Sequence, residues 1–131
     1  MIYLVVNSQK FNNFQSRLEK RLAELPEQIF QAIELSALDI QTRAKQPGYV
    51  PIDTGTLRRS ITHKTIRSGA DVTGYVGTNV KYARIHEFGG QTGRNHSVTI
   101  VPKLYLTRAT KESREAIAKR FKAIALINGK I

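Results

Sequence analysis

Asp53-Thr54-Gly55 is the stretch whose residue types most directly suggest bond-making chemistry. Asp-Thr-Gly is the active-site tripeptide of aspartic proteases, where two carboxylates held close together share one proton. In those proteins it sits in an all-β body and leads into small apolar residues. Here it leads into Leu57-Arg58-Arg59. Guanidinium groups beside a carboxylate hold it ionised and work against a shared proton. The tripeptide therefore reads as turn chemistry, with Asp53 or Thr54 capping the segment that follows. His63, His86 and His96 have no metal-ligand spacing, and the chain has no Cys. Thiolate metal sites, cysteine nucleophiles and disulfides are thereby excluded. Gly-x-Ser-x-Gly elbows, phosphate loops and dinucleotide fingerprints are also missing from the sequence. No catalytic, cofactor or metal site is expected, and the protein is not expected to be an enzyme.

The charge points to binding. The 21 Lys+Arg and 10 Asp+Glu give a formal net charge of +11. Residues 1–50 carry +1 and residues 51–90 carry +3, whereas residues 91–131, with nine basic and two acidic groups, carry +7. Such a distribution gives one electropositive face or end, suited to an anionic neighbour. Arg94, Lys103, Arg108, Lys111, Arg114, Lys119 and Lys122 are the candidates for facing DNA or an acidic partner. A helix-turn-helix is absent, and the aromatic residues are scattered instead of interleaved with Lys/Arg. Contact with DNA would thus be with phosphates and without sequence preference. A basic, sequence-neutral nucleic-acid-binding module is the alternative function.

The elements that must position these residues follow from periodicity. Residues 1–6 read as a short strand. Phe11, Phe14, Leu18, Leu22 and Leu25 recur at helical spacing, and Ile29, Ile33, Ala37 and Ile40 continue the stripe after Pro26. Proline lacks the amide hydrogen, so the spacing predicts a long helix over 9–45, kinked near Pro26 and ended by Gln46-Pro47-Gly48. Residues 60–67 and 72–78, rich in β-branched residues around Ser68-Gly69-Ala70-Asp71, predict a hairpin. Val72, Gly74 and Val76 would share one face, and Thr73 and Tyr75 the other. A short helix over 81–88 stops at Gly89-Gly90. Residues 91–97 read as a mobile polar loop and 97–101 as a strand. A second long helix begins at Lys103, with Leu106, Ala109, Ile117, Phe121 and Ile124 as its apolar stripe.

With 131 residues the chain has room for one domain with a single core. The class is α+β: a long kinked N-terminal helix and a C-terminal helix packed on one face of a small antiparallel sheet, whose other face is exposed unless a partner covers it. No apolar run approaches the roughly 18–20 residues of a membrane span, and the opening Met1–Val6 lacks the pattern of a signal peptide. A reducing cytoplasm is the expected surrounding.

The order of three blocks is more specific than any single motif. Pro51-Ile52-Asp53-Thr54-Gly55-Thr56-Leu57-Arg58-Arg59-Ser60-Ile61 is followed by Tyr75-Val76-Gly77-Thr78-Asn79-Val80-Lys81-Tyr82-Ala83-Arg84-Ile85-His86-Glu87-Phe88-Gly89-Gly90, and then by Ile100-Val101-Pro102-Lys103-Leu104-Tyr105-Leu106. This order resembles the tail-completion or neck (head–tail joining) proteins of tailed bacteriophages, including the Mu-type virion morphogenesis family and the minor tail proteins of lambda-like phages. The third block departs from the common Pro-x-Arg-Pro-Phe-Leu form. The resemblance covers roughly residues 30–125 and leaves residues 1–25, a strand and helix extension, outside it. It implies a virion structural protein without catalysis or cofactor, present in the bacterial host cytoplasm during assembly and then in the virion. Its implied partners are copies of itself in a ring around the DNA channel, neighbouring head-connector or tail proteins, and packaged DNA contacted non-specifically, with no membrane. In that reading Asp53, Thr54, Gly55, Leu57, Ser60, Ile61, Gly77, Tyr82, Ala83, Phe88, Gly89 and Gly90 build the platform. Leu57 and Ile61 point into the core, Arg58, itself a motif position, and Arg59 are candidates for contacts, and Tyr82, Phe88 and the Gly89-Gly90 pair hold the short helix against the sheet.

Overall fold

The computed structural model describes residues 8–51 and 55–129. The strand expected at residues 1–6 and the Asp53-Thr54 pair lie outside the described residues. Helix α1 spans Ser8–Ala44 and includes Pro26. Pro26 removes one hydrogen bond from the ladder, and the helix continues through it. The helix unwinds where Gln46-Pro47-Gly48 was expected to end it, with the Gln46 N–H donating to the Arg43 carbonyl and the Tyr49 N–H to the Gln46 carbonyl.

Two faces of α1 are covered. Along the first, helix α4 (Tyr105–Gly129) runs antiparallel. Arg43 Nε donates to Ser113 Oγ at 3.2 Å, Arg120 donates to Ser36 Oγ at 2.8 Å and to Asp39 at 2.6 Å, and Asn128 donates to Gln28 at 2.9 Å. Gln28, Ala32, Ser36, Asp39 and Arg43 are spaced by four, four, three and four residues, which is one stripe of a helix. Buried Ala32, Ser36, Ala109 and Ser113 keep this seam narrow. At roughly 1.5 Å per residue α1 is about 55 Å long and α4 about 37 Å. The first turns of α1 therefore extend past the end of its partner.

The second face carries an antiparallel hairpin, β1 (Thr62–Ser68) and β2 (Asp71–Gly77), in register from Thr62 opposite Gly77 to Ser68 opposite Asp71. Gly74 is the point of closest approach: a Cβ there would lie 2.9 Å from Ile33 Cγ2 and 3.5 Å from Ala37 Cβ. Arg67 reaches Glu27 at 3.1 Å and lies 4.8 Å over the Phe30 ring. His63 contacts Glu34 at 3.1 Å and Gln41 at 2.5 Å. The alternation along β2 is the one the sequence predicts, with Val72 and Val76 half-buried and Thr73 and Tyr75 exposed.

Between these elements sit α2 (Thr56–Ser60) and α3 (Ala83–Phe88). Leu57, Ile61, Ala83, Tyr105 and Ala109 join Ala44 and Val50 in the core. The class is α+β, as expected. The antiparallel strands form two separate two-stranded ribbons, and α1, lying between hairpin and α4, is the element both pack on. Residues 91–97, expected as a mobile polar loop without periodicity, fall largely within short regular backbone elements. β3 (Gly90–Thr92) pairs with β4 (Val98–Ile100), and a 3-10 turn at Arg94–His96 joins them. Backbone pairing across the turn supplies an order that side-chain periodicity over so few residues does not reveal.

Candidate functional site

The three blocks, separated in sequence, meet around α2, α3 and the start of α4. Ser60 Oγ donates to the Leu57 carbonyl at 2.7 Å and lies 2.6 Å from Thr78 Oγ1. Thr78 Oγ1 in turn accepts from the Val80 N–H at 3.2 Å. The first block is thereby fastened to the second. The N-cap position of α2 is Gly55, in a left-handed conformation with φ 75° and without a side-chain cap. Arg58 and Arg59 are exposed, while Leu57 and Ile61 are buried.

The second and third blocks are joined by Glu87. This carboxylate is only 4 % exposed. It accepts from the Leu106 N–H at 2.9 Å, the Thr107 N–H at 2.9 Å and the Thr107 hydroxyl at 2.6 Å. These are the orphan donors of the first turn of α4, a turn that has no acidic residue of its own. Two backbone bonds hold the approach: Lys103 N–H to His86 carbonyl at 2.8 Å and Leu104 N–H to Glu87 carbonyl at 3.1 Å. Tyr105 donates its hydroxyl to the Ala83 carbonyl at 3.3 Å. Burial, reinforced by the Glu87 charge, pushes the Tyr105 phenol up to about 12. Gly89 makes the turn between α3 and β3 with φ +74°, where a Cβ would sit 2.7 Å from Pro102 Cδ and 2.8 Å from the Ile100 carbonyl. Only glycine fits there.

The surface around this junction corrects one expectation. Phe88 does not hold α3 against the sheet; it is 65 % exposed. Tyr82 is exposed too, its ring meeting His86 edge-on at 5.9 Å. Helix α3 is held instead by Ala83, Glu87 and Tyr105, because burying the cap and its hydroxyl partner turns the Phe88 side outward. Val101 and Leu104 are exposed nearby. Phe88, Arg84, Lys111 and Arg114 border an open groove of 560 Å³ above Leu106 and Ala83.

The predicted basic residues divide. Arg108 is engaged internally, 4.4 Å over the Tyr49 ring and 3.4 Å from the Gly48 carbonyl. Tyr49 donates its hydroxyl to Glu112, which pushes that phenol up. Lys119 pairs with Glu115 at 3.1 Å. Arg94 sits on the ribbon turn, and Lys103 precedes α4. Lys111 and Arg114 line the groove, and Lys122 is exposed further along the helix. The basic residues therefore do not form one continuous face, since Glu112 and Glu115 are interspersed among them. Sequence reasoning missed Arg84 as a groove residue and Glu87 as the cap. A signal for Glu87 exists, because it is the lone acid between Asp71 and Glu112.

Chemically, the arrangement is a rigid platform. Among the described residues no three His, Cys, Asp or Glu side chains gather as a metal-binding group, and no helix is long and apolar enough to cross a membrane. Among the described residues the one close imidazole–carboxylate pair, His63 with Glu34, lies under the hairpin. There the Thr65 hydroxyl and His63 hold the Glu34 carboxyl below its usual range. No curated protein and no solved structure is a significant match to the chain. Residues 15–124 match the phage virion morphogenesis family. That stretch takes in the three blocks, and it starts in the first half of α1, upstream of where the motifs alone reach. The junction of Ser60, Thr78 and Glu87 is thus the scaffold of a matched region that spans most of the molecule, and the chain belongs to the phage virion morphogenesis family.

Proposed function

We propose that the protein completes the tail or neck at the head–tail junction, as in Mu-type and lambda-like phages, and acts there as one subunit of a ring around the DNA channel. The observation that carries this reading is the family match over residues 15–124. The surface supports it. A closed ring needs two different patches on each subunit that fit each other head to tail. One candidate is the far end of the helix pair, where Phe14, Leu22, Leu126 and Ile127 are exposed and Arg21 donates to the Ile127 carbonyl. Another is the outer face of the hairpin, where Ile66 and Tyr75 are exposed. Neighbouring head-connector or tail proteins and packaged DNA are the remaining partners, the DNA contacted through phosphates alone.

Deleting the gene tests the reading. Filled heads and separate, unjoined tails are the expected outcome, and normal infectious particles would overturn it.

A further inference from the structure

The groove between α3 and the first turns of α4 combines two features seldom found together on a solvated surface. Its wall is Phe88, 65 % exposed, above the aliphatic Leu106. Its rim holds Arg84, Lys111 and Arg114, none of which has an ion-pair partner among the described residues. The one carboxylate in the lining, Glu87, is already committed to the helix cap. We propose that this groove docks an acidic amphipathic segment of a different virion protein. An apolar side chain sits against Phe88, and carboxylates meet Arg84, Lys111 and Arg114. The inference names the class of partner for the joining role and rests on that reading.

Charge complementarity selects this occupant over two others. A second copy brings a formal charge of +11. Its acidic side chains are largely engaged already: Glu27 with Arg67, Glu34 with His63, Asp39 with Arg120, Glu112 with Arg43 and Glu115 with Lys119. Duplex DNA would satisfy the cations but offers phosphates to the apolar wall, leaving Phe88 without a partner. An amphipathic helix satisfies both, with apolar anchors at helical spacing and acids beside them.

Fluorescence anisotropy on the full chain tests this with labelled peptides of about 18 residues: a Leu/Glu amphipathic helix, its Leu/Lys counterpart, and a Ser/Glu peptide of equal acidity. A short DNA duplex is the fourth probe. The Leu/Glu peptide is expected to bind roughly tenfold or more tightly than either other peptide. The exposed double substitution Lys111→Glu with Arg114→Glu should abolish that preference, and Phe88→Ser should weaken it. Lys122→Glu should leave it intact. Thermal melts confirm that the variants are folded. Equal binding of Leu/Glu and Leu/Lys peptides would overturn the proposal. So would equal loss with Lys122→Glu, a dependence on Lys111 and Arg114 shown by DNA alone, or an oligomer that dissolves only when the groove is altered. The two readings fail separately. Normal particles from the gene deletion remove the joining role, whereas unjoined tails with no peptide discrimination remove the groove assignment alone.

Discussion

Glu87 shows how a single buried side chain can set the geometry of a platform. An acidic residue in the middle of a basic stretch has every reason to stay in solvent unless it finds several donors. The N-terminus of α4 offers three, together with the positive end of the helix dipole. Glu87→Gln keeps the shape but removes the charge and one acceptor. It is expected to lower stability by about 1–3 kcal/mol, read as a shift of the urea midpoint at unchanged slope. Glu87→Ala should cost more, because it leaves the donors unpaired in a buried site. Tyr105 gives a pH test of the same junction. Its phenol moves from 10.0 to about 12 on folding, so the folded state favours the neutral form. Below pH 10 both folded and unfolded chains hold the proton, and this contribution is fully present. Above that, the unfolded chain loses its proton first, and stability falls until the pH passes the folded value near 12. Tyr105→Phe should flatten that alkaline decline. A smaller slope of the same sign should remain from Tyr49, and the lost hydrogen bond should cost about 1 kcal/mol at neutral pH.

Between elements, close approach is decided by small residues. The hairpin can lie on α1 only because Gly74 presents no Cβ to Ile33 and Ala37. Gly74→Ala is expected to destabilise by about 1–3 kcal/mol, since the new methyl must displace a branched side chain in a packed seam. Removing the obstacle should recover part of that cost. In a double-mutant cycle with Ile33→Ala, measured by chemical denaturation, Gly74→Ala should cost clearly less than it does alone. Additive costs would show that the strain lies elsewhere. The α1–α4 seam follows the same logic with Ala32, Ser36, Ala109 and Ser113. There the narrow space is crossed by Arg120, whose planar fork reaches Ser36 and Asp39 together.

On the scale of the whole molecule, a virion structural role asks for surfaces more than for a cleft, and the molecule exposes apolar side chains at separated places. Copies that carry +11 each repel one another at low ionic strength. If rings form through the apolar end of the helix pair and the outer hairpin face, screening should strengthen association. Sedimentation velocity is expected to show mass rising above the 14.7 kDa monomer as salt is added. Dissociation on adding salt would instead mark an interface held by charge pairs. Leu22→Glu, on the exposed stretch of α1, should then suppress association without altering the unfolding free energy by more than about 0.5 kcal/mol.

The sequence by itself determined the helices, the β1–β2 hairpin and the family, but not the small β3–β4 ribbon. Helical spacing from Phe14 to Ile40, β-branched runs around Gly69 and the order of the three blocks are local patterns, and local patterns are legible because backbone periodicity acts over a few residues. It also located the turns at Gln46-Pro47-Gly48 and Gly89. What only the tertiary structure decided is which side chains those elements bring together. Phe88 faces outward and Glu87 inward although they are neighbours, and the basic residues of α4 divide into internally paired Lys119 and groove-lining Lys111 and Arg114. Gly74 became necessary only when α1 was laid against β2. Such outcomes depend on contacts between residues far apart in the chain, where burial and the satisfaction of buried polar groups outweigh any preference that a residue carries on its own.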